Sequence, residues 1–392
     1  MKKIIFLILI FFTMNSSFAI NEDVILLPED AIESQRQLLE GEKEVVLEEE
    51  KVSPYTKRAL KAIIEKEYNN YDTEGLLNKQ LKAEFQKGII KDAQFELNSI
   101  VTLKQNIEDN NSNLKANYQT MQLGLAGKFR SEKEGYNFLF ELSPNIHDNF
   151  IQRFVADAWI QTKRIPNHTL MFGYSRAMVG YEGGQSQYNL PFLNRSQTAR
   201  VIGNARKGGI RLKGDYKYVN YDIGGYSSDT FHREFFPGVE TSAWVNFKPL
   251  ANVSDKYGKL NIGGGVQAGN RNSYDFFTTT AAIKYDYKKF WMLAEYANAD
   301  GSNGGAGLTT KKSQGYNLTL AYRLTKKAEV LLRYDDFDSD KKISNNNTKE
   351  YTAGFNYYVF GQALRFIFNY VFCQNDNRAD SHKLIFGTQF LL

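Results

Sequence analysis

Apolar and polar side chains alternate along most of this chain. In QALRFIFNYVF, residues 362–372, Leu364, Phe366, Phe368, Tyr370 and Phe372 occupy every second position, with Arg365, Ile367, Asn369 and Val371 between them. A period of two is the signature of a β-strand, whose successive side chains point to opposite faces. YNLTLAYRL repeats it: Tyr316, Leu318, Leu320, Tyr322 and Leu324 share one face, Asn317, Thr319, Ala321 and Arg323 the other. In EVLLRY, Val330, Leu332 and Tyr334 oppose Glu329 and Arg333, and in YTAGFNYYVF, Tyr351, Ala353, Phe355, Tyr357 and Val359 oppose Thr352, Gly354, Asn356 and Tyr358. Such patterns recur from about residue 93 to the last residue and predict about 16 strands in regular up-and-down hairpins. Turn clusters such as KGD, NADGSNGGAG and DSDKKISNNN separate them, and short connections alternate with long polar ones.

The oily face of such strands looks inward in a soluble sandwich and outward in a membrane barrel. The N-terminus favours the barrel. Lys2 and Lys3 precede nine apolar residues, Ile4–Phe12, and small residues Ser17 and Ala19 follow. This reads as a secretory signal peptide, 1–19, too short to span a bilayer as a helix. Tyr lies at or near the strand ends of the apolar faces, with Leu, Val and Phe between, as in the aromatic girdles of transmembrane barrels. The chain ends HKLIFGTQFLL, where Leu384, Phe386, Thr388, Phe390 and Leu392 alternate to the last residue. This resembles the terminal sorting strand of bacterial outer-membrane barrels, with Leu in place of the usual final aromatic. The predicted fold is all-β: a transmembrane antiparallel up-and-down β-barrel over 79–392, preceded by a short N-terminal helical segment. On this reading Leu364, Phe366, Phe368, Tyr370 and Phe372 face lipid, Arg365 faces a water-filled lumen, and the protein resides in the bacterial outer membrane.

Charge divides the chain. Between Ile20 and Asn70 there are 13 Asp and Glu against 7 Lys and Arg. With the leader's two lysines and a net charge of +5 for the whole, residues 71–392 carry +9. The segment 20–78 is read as an acidic periplasmic helical or linker piece, with Ser53 as cap, Pro54 in the first turn and Leu60, Ile63 and Ile64 on one stripe. The single Cys373 excludes an intrachain disulfide and a cysteine-cluster zinc site. Asp336, Asp338 and Asp340 have the spacing of a calcium loop, but Lys341 replaces its glycine and Asn347 its final glutamate. NADGSNGGAG lacks the Lys-Ser/Thr of a phosphate loop and reads as a flexible loop. His147, His168, His232 and His382 are scattered, so no catalytic, metal or cofactor motif is assigned, and nothing points to nucleic acid.

MQLGLAGKF with YNFLFELSPN resembles a hairpin of the phosphate-selective porin O/P family. The next stretch resembles that family's following hairpin and long inserted loop. Asp157, Ala158, Trp159 and Ile160 match its Asp-Ala-Tyr-Ile. Gly173, Tyr174, Ser175 and Arg176 match Gly-x-Phe-Lys, with Arg176 in the lysine place, and Glu182 falls near the family glutamate without the Pro-Phe-Ser between. Asn194, Arg195 and Ser196 match Glu-Arg-Ser with Asn for Glu. SAWVNFKPL and GYNLTLAYRL also look like family strands, while the glycines of the family's first strand are missing. The resemblance, over residues 85–392, implies a homotrimer of 16-stranded barrels in outer-membrane lipid, each with a loop folded into its lumen, passing small anions such as phosphate.

Pore selectivity comes from charge and constriction. Alternation places Lys128, Lys163, Arg211, Lys213, Lys217, Lys284, Arg323, Arg333 and Arg365 on lumen faces, with Asp157, Glu295, Glu329 and Asp335. A cation on the lipid face at mid-depth would cost about 2–4 kcal/mol. Arg176, Arg195, Arg200, Arg206 and Lys207 flank the loop of residues 178–209, where each more often anchors the loop than touches solute. The expected anion-binding set is Arg176, Arg195, Arg211, Lys213, Lys284, Arg323, Arg333 and Arg365. An anion-preferring porin is therefore expected, not an enzyme; the alternative is an envelope-tethering barrel without selective transport.

Overall fold

Residues that alternate in sequence form the wall of a closed sheet. The computed structural model describes residues 90–391 apart from 109–110, 130–135, 144–154, 230–233 and 235. The expected leader and acidic segment lie outside the described residues. The chain divides into two compact units, 1–95 with 392, and 96–391. Of the first, only strand residues 90–95 are described; the second holds the barrel.

Sixteen strands follow one another: β1 (Ile90–Glu108), β2 (Asn111–Phe129), β3 (Tyr136–Leu142), β4 (Val155–Thr162), β5 (His168–Arg176), β6 (Arg206–Asp215), β7 (Val219–Ser227), β8 (Val239–Phe247), β9 (Lys259–Arg271), β10 (Tyr274–Tyr287), β11 (Phe290–Gly304), β12 (Gly307–Arg323), β13 (Ala328–Asp338), β14 (Asn347–Phe360), β15 (Leu364–Asn375) and β16 (Ser381–Leu391). Each is hydrogen-bonded to its sequence neighbours, and β1 closes the ring on β16, from Asn98 opposite Leu391 to Glu108 opposite Ser381. Closure leaves no unpaired edge for lipid to face. No described helix is long and apolar enough to cross a membrane.

The surface is inverted relative to a soluble protein. On β12, Tyr316 is 47% and Leu320 37% exposed, whereas Asn317 and Thr319 are 2% and 3%. On β15, Phe368 and Tyr370 are exposed while Arg365 is only 1% exposed. Large apolar side chains outside and polar ones inside make sense when the outer solvent is hydrocarbon. Register aligns an aromatic girdle at one level: Tyr316, Tyr334, Tyr351, Phe372 and His382 stand with successive ring centroids 5.9, 5.1, 6.0 and 5.0 Å apart. Substituting Leu320→Arg on this lipid face is expected to destabilise the barrel by about 2–4 kcal/mol, measured by urea unfolding in vesicles.

Two expectations of layout need correction. NADGSNGGAG is not a flexible loop: β11 runs through Gly304 and β12 begins at Gly307, with a register shift between Asp300 and Ser302. Gly301 at φ +72° makes that bulge, a conformation glycine adopts without steric penalty. The short-long alternation is also incomplete. Asn272 and Ser273, both at positive φ, join β9 to β10 in a two-residue turn at the same end as the long loop after β5. The sector from β9 to β12 uses strands of 13 to 17 residues, so its hairpins carry their turns to that end without a long connection.

Candidate functional site

The segment 177–205, between β5 and β6, folds into the barrel. Its groups touch the inward faces of strands as far apart as β1, where Tyr188 Oη donates to the Asn98 carbonyl, and β11, where Glu295 accepts from the Tyr181 N–H. Only a segment inside the ring can reach both. It contains two short helices, α1 (Tyr181–Gly184) and α2 (Gln197–Val201), with a 3-10 turn at Gln187–Asn189 between them.

Wall and loop match by chemical type. Short helices leave N–H groups unsatisfied at their starts. Glu295 accepts from the N–H groups of Tyr181 and Glu182 at 2.6 and 3.2 Å, and Asp335 from that of Gln197 at 2.7 Å. Loop carbonyls take arginines. Arg333 donates to the carbonyls of Asn194 and Arg195 at 3.0 and 3.4 Å, faces the Glu182 carboxylate at 3.5 Å and lies over the Phe192 ring at 4.7 Å. Arg365 donates to the carbonyls of Tyr188 and Leu190, and to Gln389. Apolar seats complete the docking. A Cβ on Gly354 would lie 2.7 Å from the Phe192 ring, and one on Gly387 2.5 Å from a Leu193 methyl. Trp244, Trp291, Leu293 and Leu331 form one buried apolar cluster with Phe192, so part of the inner wall is an apolar bed.

Most of the expected anion-binding set is engaged within the protein. Arg176 donates to Asn204, and its own carbonyl accepts from Arg211. Arg211 also grips Asp222 with two nitrogens, and Lys213 is half-buried opposite Asp222 in register. Arg323 makes a bidentate pair with Asp286 at 2.9 and 2.6 Å, near the turn joining β10 and β11. Lys284 reaches the Tyr181 hydroxyl at 3.0 Å. Arg195 is buried and bonded to the carbonyls of Glu182 and Gln185; burial pushes its guanidinium down to about 10, the Glu182 carboxylate working against that, so it stays charged at neutral pH. Lys163 and Lys217, expected on lumen faces, instead sit exposed in the turns after β4 and β6, because those strands end one and two residues earlier.

A basic group absent from that set borders the loop. Arg200, in the last turn of α2, donates from Nη2 to both carboxylate oxygens of Glu350 on β14 at 3.0 Å, and Lys383 of β16 stands 3.9 Å from the same carboxylate. Lys104 of β1 lies within electrostatic reach of Arg200, Lys383 and Glu350. The Arg200 and Lys383 side chains keep 35% and 25% exposure, so solute can reach them. From β1 to β4 the wall carries an acidic group. Glu141 opposes Asp157 in register, Glu96 reaches toward the same place over Gly124, and Arg206 pairs with Asp157 at 2.9 Å.

These features define a class: a 16-stranded barrel of outer-membrane porin fold, apolar outside, with a loop folded into its lumen. The sequence model of the family phosphate-selective porin O and P matches residues 255–390, which span β9 to β16. Among curated protein sequences none matches the chain. Solved structures with the same fold include an anion-selective porin from Comamonas acidovorans, with 14% identity, TM-score 0.57, and coverage of 77% of this chain and 100% of that one. Salmonella typhi OmpF in complex with daunomycin follows at 12% identity, TM-score 0.57, and 76% and 97% coverage. OmpT of Vibrio cholerae, an outer membrane protein in its trimer form, shows 10% identity, TM-score 0.53, and 76% and 99% coverage. The family match and this fold place the protein in the bacterial outer membrane.

Proposed function

We propose that the protein is a passive, anion-preferring diffusion channel of the phosphate type, narrowed by the loop of residues 177–205 and assembled as a homotrimer. The observation that carries the reading is the basic group at the loop's edge, where Lys104, Arg200 and Lys383 surround the Glu350 carboxylate. A cationic surplus in a narrow lumen attracts anions and repels potassium. Arg200 offers a planar fork suited to phosphate oxygens, and the lysines act as point charges. The loop supports a constriction because its docking is built from buried charges, which are held only when paired. The match to the phosphate-selective family and the fold shared with an anion-selective porin favour the same reading, and the trimer form of Vibrio cholerae OmpT favours the assembly. Arg176, Arg195, Arg211, Lys213, Lys284, Arg323, Arg333 and Arg365 then set the field and hold the loop, while the solute meets Arg200, Lys383 and Lys104.

The test is the reversal potential of the refolded full chain in a planar bilayer under a KCl gradient, followed by phosphate titration. A potential toward the chloride equilibrium, with current blocked by phosphate, is expected. Conductance without ion preference would leave a general porin. No conductance would overturn the channel and favour an envelope-tethering barrel.

A further inference from the structure

Among the described connections, the two ends of the barrel differ in charge. At the end where β16 finishes, the turns 163–167, 216–218, 248–258, 288–289 and 324–327 hold nine Lys and Arg and one acid, Asp255. At the other end, the described residues of the connections 228–238, 272–273, 305–306, 339–346 and 376–380 hold three Lys and Arg and five acids. Apart from 248–258, the described connections at the basic end run from two to five residues, whereas the long loop 177–205 and the connections 228–238 and 339–346 lie at the other end beside its two-residue turns. The side of the shorter connections faces the periplasm in a barrel of this kind.

These cations stand on aromatic rings. Arg164 lies 4.4 Å over Tyr136, Lys217 5.8 Å over Tyr218, Lys256 5.1 Å over Tyr257 and Lys288 4.9 Å over Tyr287. Tyr136 and Tyr287 belong to the outward faces of β3 and β10, on the same side as Phe140 and Ile283, which are exposed to lipid. Phe290 and Tyr322, paired in register and both exposed, continue the belt beside Lys288, Lys289, Lys326 and Lys327. We infer that this lysine–tyrosine collar is a docking surface for the anionic phosphate headgroups of the phospholipid leaflet around it. The chemistry is complementary at both ends of the lipid. Tyrosine rings settle at the headgroup level, and lysine stems lie along apolar surface while their ammonium groups reach the phosphates. A soluble polyanion would satisfy the ammonium groups and leave the exposed rings uncovered, whereas a lipid covers both.

The test compares two spin-labelled lipids, phosphatidylglycerol and phosphatidylcholine, bound to the full chain refolded in phosphatidylcholine vesicles. Association with phosphatidylglycerol is expected to exceed that with phosphatidylcholine by roughly threefold or more at low salt, and to approach equality in high salt. The variant Lys288→Gln, Lys289→Gln, Lys326→Gln, Lys327→Gln should lose most of that preference with its single-channel conductance retained, which shows that the barrel has folded. Equal association of the two lipids with the unaltered chain would overturn the inference, as would a preference that survives in the variant. Loss of the preference on adding millimolar inorganic phosphate would assign the collar to free anions instead of a lipid surface.

Discussion

Arg333→Ala is expected to free the inserted loop and raise the single-channel conductance. Arg333 is the point where the docking converges: two loop carbonyls, the Glu182 and Asp335 carboxylates and the Phe192 ring all meet its guanidinium. Its side chain is 1% exposed, those of Glu182 and Asp335 6% and 0%. Removing one partner of such a group leaves charge buried without compensation, at about 3–5 kcal/mol. The loop can relieve that cost by leaving the wall, whereas the barrel cannot, because Leu332 to Tyr334 keep their backbone pairing with β12 and β14. Conductance should therefore rise by roughly twofold or more, with noisier open-channel current, while urea unfolding of the barrel changes little. Arg333→Lys keeps the charge without the fork and should fall between. A conductance unchanged in the alanine variant would mean that the loop does not limit the pore.

The period of two made the faces legible. Once the leader suggested export, each strand could be turned with its oily side to lipid, and Arg365, Asn317 and Thr319 duly lie inside. Pairing across the lumen could not be read this way. Arg365 bonds to carbonyls 177 and 175 positions away, a relation that depends on where a 29-residue loop comes to rest. Strict alternation does not show the apolar bed, yet Trp291 to Ala294 is an unbroken apolar run, the sign of a strand covered on both faces. The glycines around Gly304 suggest a loop, but they form a hairpin tip. Here they permit close approach: a Cβ on Gly304 would lie 2.0 Å from the Ile202 carbonyl oxygen, and Gly305 N–H donates to Gly203 at 2.6 Å. Lys104 and Lys383 had a usable signal, since Lys383 alternates with the outward Leu384 and Phe386 in the terminal strand.

Reversing those two lysines, Lys104→Glu with Lys383→Glu, is expected to move the reversal potential from the chloride side of zero to the potassium side. With Arg200 and Glu350 unchanged, the local charge passes from +2 to −2. A chloride ion about 7 Å from each group, in a water-like dielectric, gains about 0.6 kcal/mol per unit charge. A change of four charges then amounts to about 2.4 kcal/mol before screening, roughly 50-fold in relative ion occupancy. At 0.1 M salt the Debye length of about 10 Å reduces this to roughly tenfold, and at 1 M, where it is about 3 Å, most of the effect disappears. That salt dependence separates a charge effect from a change of shape, which would persist at 1 M. Arg200 is left in place because its Nη2, shared between the two Glu350 oxygens, also ties α2 to the wall. A reversal potential still on the chloride side at low salt would move the selectivity away from this group, toward the arginines that hold the loop.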